Sequence, residues 1–153
     1  MFEISKLIIT GTLGTFGFAL LFGIKPKHIP VAAIGGLIAT AVYIATEAWG
    51  ANIFLSNFLA TLTCVVYANV FARVLKTPSI VFITASIIPL VPGGSLFYTM
   101  SNIILGNGAA AKVYGLNTLK VALGIAGGIV IESLVVSIMT KVFQAKKRSD
   151  ADK

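Results

Sequence analysis

Of the 153 residues in this chain, 57% are hydrophobic and only 11% are charged, and the mean hydropathy is +0.96. Soluble domains are typically about 45–50% apolar and about 25% charged, so this composition excludes an ordinary soluble fold, and it equally excludes a disordered chain. The net charge of +7 does not indicate a nucleic-acid partner, because no stretch is polar enough to form a basic soluble face. We therefore predict an integral membrane protein.

The first three apolar runs predict three membrane-spanning helices. A spanning helix needs about 20 mainly apolar residues, and the runs predict spans at about 5–24, 29–47 and 51–73. Pro26 and Pro30 separate the first two. We interpret the first run as a retained span rather than a signal peptide, because it is longer than the usual apolar core and no A-x-A-like cleavage site follows it.

The fourth uncharged run, 77–111, is too long for one straight span and too short for two spans with a turn between them. The span that we predict within it covers 78–105. Four helix-breaking residues fall near its middle: Pro89, Pro92, Gly93 and Gly94. Ser95 is a plausible N-cap for a second half-helix. We predict a broken span whose half-helices meet inside the membrane at 89–95; a strongly kinked single helix is the alternative.

The last run predicts a span at 118–142, followed by a basic cytoplasmic tail at 143–153 that would contact anionic lipid. The predicted fold is thus a single all-α polytopic membrane domain over residues 1–153, with five spans. The positive-inside rule places the N-terminus outside and the C-terminus in the cytoplasm. The loop that carries Lys112 and Lys120 then lies outside, against that rule.

Glycine spacing predicts two sets of close helix contacts. In the first span, glycines recur every third residue, at Gly11, Gly14 and Gly17. In the last span, Gly124 and Gly128 precede Glu132 at four-residue spacing, which puts all three on one helix face. Small residues let membrane helices approach closely, so both sets are predicted to pack against neighbouring helices.

The broken span is the predicted substrate-binding site. Irregular backbone at membrane depth is tolerated where it is buried or lines a cavity, and the N-terminus of a half-helix can direct its free amides at an anionic substrate group. Tyr98 and Asn102 are four residues apart and share one face of the second half-helix. The predicted site residues are Pro89, Pro92, Gly93, Gly94, Ser95, Tyr98 and Asn102. The alternative is a kink that serves only helix packing.

Glu132 lies close to the middle of the last span, where a charged residue costs at least about 2.5 kcal/mol on insertion scales. We predict that it exchanges a proton or pairs with a substrate ammonium group. The alternative is a protonated Glu132 bonded to a neighbouring helix for assembly alone.

Residues for enzyme chemistry are scarce. His28 is the single histidine and lies in a predicted loop, so we expect no His-based catalytic triad and no metal site with several histidines. Cys64 is the single cysteine, which excludes a thiolate metal cluster and an internal disulfide. No nucleotide-binding motif occurs in the sequence. We predict a protein that is not an enzyme and that uses no cofactor and no metal.

The segment ITASIIPLVPGGSLFYTMSNIILG, with the core PLVPG at Pro89–Gly93, resembles the signature of the threonine/serine exporter family. The resemblance extends from about residue 5 to residue 143 and includes the glycine-rich last helix with Glu132. Some members of that family are one chain with two membrane halves, and others are split into two subunits. This chain resembles the smaller subunit of the split form, which corresponds to the C-terminal half.

The resemblance implies a secondary exporter of threonine and serine that is driven by the proton gradient. It also implies a partner, the larger five-span subunit, with the substrate site between two pseudo-symmetric halves. Related split systems are linked to dicarboxylate export, so a succinate-like substrate is one alternative. The sequence is also compatible with a subunit that assembles the complex without transporting, and with a passive channel.

Overall fold

The structure is a computed structural model that describes the backbone of residues 2–151 and the side chains of residues 6–138. In this part of the chain every regular element is helical, which confirms the all-α prediction. The helices are α1 (Phe2–Leu21), α2 (Ile29–Ala48), α3 (Ile53–Val74), α4 (Ser79–Ile87), α5 (Gly93–Ile104) and α6 (Gly108–Ala151). Short 3-10 turns, Pro26–His28 and Ile88–Leu90, precede α2 and follow α4.

Three stretches of the described residues are long and apolar enough to cross a membrane: Pro26–Ala48, Ile53–Val74 and Gly108–Ile138. A fourth candidate is the pair Ser79–Leu90 and Gly93–Ile104, which consists of α4 with its 3-10 turn and of α5. The two parts of this pair are bent by 54° relative to each other. In α1, the segment Lys6–Leu21 is apolar but shorter than the other candidates. The chain is therefore a helical membrane protein with three or four candidate spans, and a fifth depends on α1.

Small residues bring α1, α2 and α4 into close contact. A Cβ atom added at Gly36 would overlap the Thr15 side chain, and one at Gly35 would overlap Ser86. The Ser86 hydroxyl donates a hydrogen bond of 3.1 Å to the backbone oxygen of Ala32. Because lipid gives no hydrophobic drive for helix association, such close packing and interhelical hydrogen bonds hold membrane helices together. Helices α1–α4 thus form a tight bundle.

The three glycines of α1 differ in their surroundings. A Cβ atom at Gly11 would lie 2.6 Å from the hydroxyl oxygen of Thr40 on α2. The equivalent positions at Gly14 and Gly17 have no atom within 4 Å. Among the residues whose side chains the structure describes, therefore, only the first of the three glycines meets a neighbouring helix.

Helices α3 and α6 meet along a glycine face of α6. A Cβ atom at Gly124 would lie 2.6 Å from the backbone oxygen of Phe54, and one at Gly128 would lie 2.8 Å from the Cβ of Thr61. Residue numbers rise together along the two helices, so α3 and α6 run in the same direction. We call this contact the α3–α6 seam.

The last helix begins ten residues before the predicted span. Gly106 ends α5 with φ +72, the left-handed conformation that glycine adopts without steric cost. The side-chain oxygen of Asn107 then accepts a 3.3 Å hydrogen bond from the Ala110 amide. Residues 108–117, predicted to be loop, are helical because they include three consecutive alanines, the best helix former. Lys112 therefore lies on a helix, not in a loop.

The chain consequently turns back on itself after the broken span. Helix α5 packs against the first turns of α6, where the Tyr98 and Tyr114 rings lie 5.3 Å apart between centroids. The Cγ2 of Thr99 lies 3.5 Å from the Cβ position of Gly115. We call this pair of antiparallel segments, 93–120, the hairpin.

Candidate functional site

The chain is irregular between α4 and α5, at the predicted break. Val91 is extended, with φ −63 and ψ 128, as expected for a residue that precedes proline. Helix α5 begins at Gly93, and Pro92 occupies the N-cap position. The prediction that Ser95 is the N-cap is therefore wrong. Proline is suited to a helix start because its fixed φ is compatible with the helix and the N–H that it lacks would have no partner there.

The first turn of α5 has backbone amides without an acceptor in the helix and two glycines beside open space. No side-chain hydrogen bond caps this turn among the described residues. The Gly93 amide donates to the Val91 oxygen at 2.8 Å, which leaves the amides of Gly94 and Ser95 without an acceptor inside the helix. No atom lies within 4 Å of the Cβ positions of Gly93 and Gly94. Such a helix end can bind a carboxylate or another anion.

Tyr98 and Asn102 follow on α5. The Asn102 side-chain amide donates a 2.7 Å hydrogen bond to the backbone oxygen of Tyr98. The Tyr98 side chain is 51% exposed, although its ring contacts Tyr114 and Phe97. No residue of α5 is fully buried. Within this chain the predicted substrate site thus has one wall, formed by the hairpin, and its other side is open.

Pro89, the first residue of the break, lies apart from these amides, against α1 and α2. It borders a cleft of about 280 Å³. The other lining residues are Leu7, Thr10, Gly11, Thr40, Tyr43, Ile44 and Leu90. The two ends of the break therefore differ in their surroundings. Its proline end, at Pro89, lies near the bundle, whereas its glycine end, at Gly93 and Gly94, faces open space.

Glu132 is buried in the α3–α6 seam with only 3% of its surface exposed. Its Oε1 atom accepts a 2.7 Å hydrogen bond from the side-chain amide of Asn69 on α3. Gly128, one turn earlier on α6, lies against Thr61. Buried ionisable groups in membrane helices are costly and commonly mark proton or substrate pathways. The geometry provides one bonded carboxyl group that a proton could neutralise.

The structure does not bring the break and Glu132 together. Tyr114, which contacts the substrate-site residue Tyr98, lies on the same helix as Glu132. The residues between them correspond to about 27 Å of helix at 1.5 Å per residue. Binding at the break and proton exchange at Glu132 would therefore occur at two separate sites linked by α6.

Sequence reasoning missed the partner of Glu132. Asn69 stands out in the sequence only as a polar residue in an apolar run, and nothing in a single sequence pairs residues of two different helices. Among the described residues, no group of three or more His, Cys, Asp or Glu side chains could hold a metal ion. The chemistry available at the two sites is therefore hydrogen bonding by amides and proton exchange by a carboxyl group.

Residues 7–135 match the model of a protein family described as Threonine/Serine exporter, ThrE. The matched region begins in α1 and ends in α6, so it contains both the break and Glu132. No solved structure matches the chain.

Proposed function

The chain belongs to the threonine/serine exporter family, and from this premise we propose that it is one subunit of a proton-driven exporter of threonine and serine. Family membership over residues 7–135 carries the proposal. The apolar composition and the three long apolar helices support a place in the membrane. The proton gradient, the partner subunit and the substrate are proposed in the following steps.

In the proposed topology α1 is a fifth span, and the bent pair α4–α5 is one broken span. The 20 residues of α1 correspond to about 30 Å of helix, the thickness of a typical hydrocarbon core. The N-terminus is outside and the C-terminus is in the cytoplasm of a bacterial inner membrane. This orientation leaves Lys25, Lys27, Arg73 and Lys76 on the cytoplasmic side, as the positive-inside rule favours.

The proposed substrate site is the glycine end of the break. The amides of Gly94 and Ser95 receive the substrate carboxylate, while Tyr98 and Asn102 line the same site. The open space beside the two glycines supports this role, because a carboxylate can approach the backbone there. A dicarboxylate would be recognised by the same amides, so a succinate-like substrate is the second candidate.

The proposed partner is the larger five-span subunit of the family. Helix α5 has no fully buried residue and leaves one side of the substrate site open. A second membrane subunit on that side would close the site and exclude lipid from it. If the partner instead holds the entire site, this chain would be an assembly subunit that does not transport.

Glu132 is the proposed proton-coupling residue. Its burial and its single hydrogen bond to Asn69 support this role, because a carboxyl group with a neutral partner can exist in either protonation state. Protons that enter down their gradient would bind and leave Glu132 once per transport cycle.

The proposal is tested by export of labelled threonine, serine and succinate from cells that lack native exporters. The strains express this chain, the larger subunit, both, or both with Glu132→Gln. We expect export only when both subunits are present, loss of export with Glu132→Gln, and the complex intact by co-purification. Ser133→Ala is the matched control, since Ser133 is the next residue of α6 and is exposed.

Each outcome separates one alternative. Normal export by the Glu132→Gln complex would contradict the proton-coupling role and favour an assembly function for this chain. Export that persists after the proton gradient is collapsed would indicate a channel. The label that is exported fastest identifies the substrate class.

A further inference from the structure

Asn69 differs from two other asparagines that lie within apolar helices, Asn57 and Asn102. Asn57 and Asn102 each donate to the backbone oxygen four residues earlier in their own helix, both at 2.7 Å. Asn69 instead donates across the α3–α6 seam to Glu132 Oε1, also at 2.7 Å. An asparagine in a helix can therefore satisfy its amide locally, and Asn69 does not.

An amide is suited to a carboxyl group that must gain and lose a proton. The N–H of Asn69 donates to the charged carboxylate, and its carbonyl oxygen can accept from the protonated form after rotation of the amide. A lysine or arginine in the same place would hold Glu132 in the charged form. An apolar side chain would leave both forms without a partner.

Charged groups near this pair are few. Among the described side chains, α5 carries none, and α3 carries only Arg73, which is exposed and lies one turn after Asn69. On α6 itself, Lys120 precedes Glu132 by twelve residues, about 18 Å of helix, and Lys112 lies farther away. The direct polar contact of Glu132 is therefore the neutral amide of Asn69.

We infer that Asn69 is a positioning residue that holds the Glu132 carboxyl group in the orientation needed for proton exchange, an inference that rests on the proposed proton-coupling role. The amide donates to the charged form through a charge-assisted hydrogen bond, which is about twice as strong as one between neutral groups. Loss of the amide therefore leaves the buried carboxyl group without its hydrogen bond to α3. A variant without the amide would export more slowly although Glu132 is still present.

The test measures export of labelled threonine by the complex of this chain with the larger subunit. For Asn69→Leu we expect export to fall by about tenfold or more, which corresponds to the loss of one hydrogen bond to a charged group, while co-purification shows that the complex is intact. Asn69→Gln retains a donor and an acceptor, so it should restore most of the export, a result that packing alone does not predict.

Asn57→Leu is the matched control. Asn57 is also on α3, is more buried than Asn69 and lies beside Gly124 in the same seam, but its amide bonds to its own helix. We expect this variant to export at the rate of the unchanged complex. If Asn69→Leu does not yield a folded protein, Asn69→Ala replaces it, with the same expected direction and with Asn57→Ala as its control.

Two results would overturn the inference: unchanged export by the Asn69→Leu complex when Glu132→Gln abolishes export, or an equal loss of export in the Asn57 control. The proposed function fails separately, through normal export by the Glu132→Gln complex.

Discussion

Helices α3 and α5 differ in how many of their residues are buried within the chain. Helix α3 buries eight residues, among them Ala60, Cys64 and Ala68, against the bundle and α6. Helix α5 buries none, and Phe97, Met100 and Ile104 are all more than half exposed. The comparison shows that the bundle and the α3–α6 seam are packed within one chain, whereas the hairpin that carries the proposed substrate site depends on other molecules for burial.

The first way to test this comparison is hydrogen exchange of the detergent-solubilised chain. Backbone amides open with free energies that range from near zero to the global stability, according to local packing. We expect amides in α5 to exchange at least about a hundredfold faster than those in the middle of α3. This factor corresponds to a difference of about 2.8 kcal/mol in the free energy of opening, since each 1.4 kcal/mol is a factor of ten. Both helices lie in the same detergent micelle, so α3 serves as the internal control for α5.

Addition of the larger subunit sharpens the same measurement. If that subunit covers the hairpin, exchange in α5 should slow while exchange in α3 changes little. Equal rates in α3 and α5 of the isolated chain would contradict the contrast in packing.

The second test replaces a glycine of α6 with alanine, once in the α3–α6 seam and once in the hairpin. Gly124→Ala would place a Cβ atom 2.6 Å from the Phe54 backbone oxygen, so α3 and α6 must separate. We expect a loss of about 1–3 kcal/mol in the free energy of unfolding, measured by denaturation in mixed micelles.

Gly115→Ala is the matched control, because its new Cβ atom would meet only Thr99 Cγ2, at 3.5 Å. At this ordinary contact distance the higher helix propensity of alanine should dominate, with a gain of up to about 1 kcal/mol. The same sign of change at both glycines would contradict the seam as described.

The third test compares two helix caps and has the smallest expected effect. The Asn52 side chain accepts a 2.8 Å hydrogen bond from the Leu55 amide at the start of α3. Asn52→Ala should cost about 1 kcal/mol. The corresponding bond of Asn107 at the start of α6 is longer, at 3.3 Å, so Asn107→Ala should cost less in the same unfolding assay.

The helices were largely predictable from the sequence because apolar run length and proline position are local signals. The break near Pro89 and Pro92 follows from missing amide donors and restricted backbone angles, which act within a few residues. The start of α6 was missed because Gly106 and Lys112 resemble loop residues, although the alanines between them favour a helix.

The candidate site was predictable only in part. Glu132 is identified by the cost of a charge in an apolar run, but its bond to Asn69 depends on which faces of α3 and α6 meet. The distance between Glu132 and the break depends on the antiparallel hairpin, which no local pattern specifies. Nor does glycine spacing distinguish Gly11, which contacts α2, from Gly14, which faces open space.

The unbroken course of α6 gives the molecule a lever. Its fulcrum is the tight contact of Gly124 and Gly128 with α3. From the centre of this contact, Tyr114 is about 18 Å away along the helix in one direction and Glu132 about 9 Å away in the other. A tilt of α6 about this fulcrum would move the arm that holds α5 by roughly twice the displacement at Glu132, and in the opposite direction.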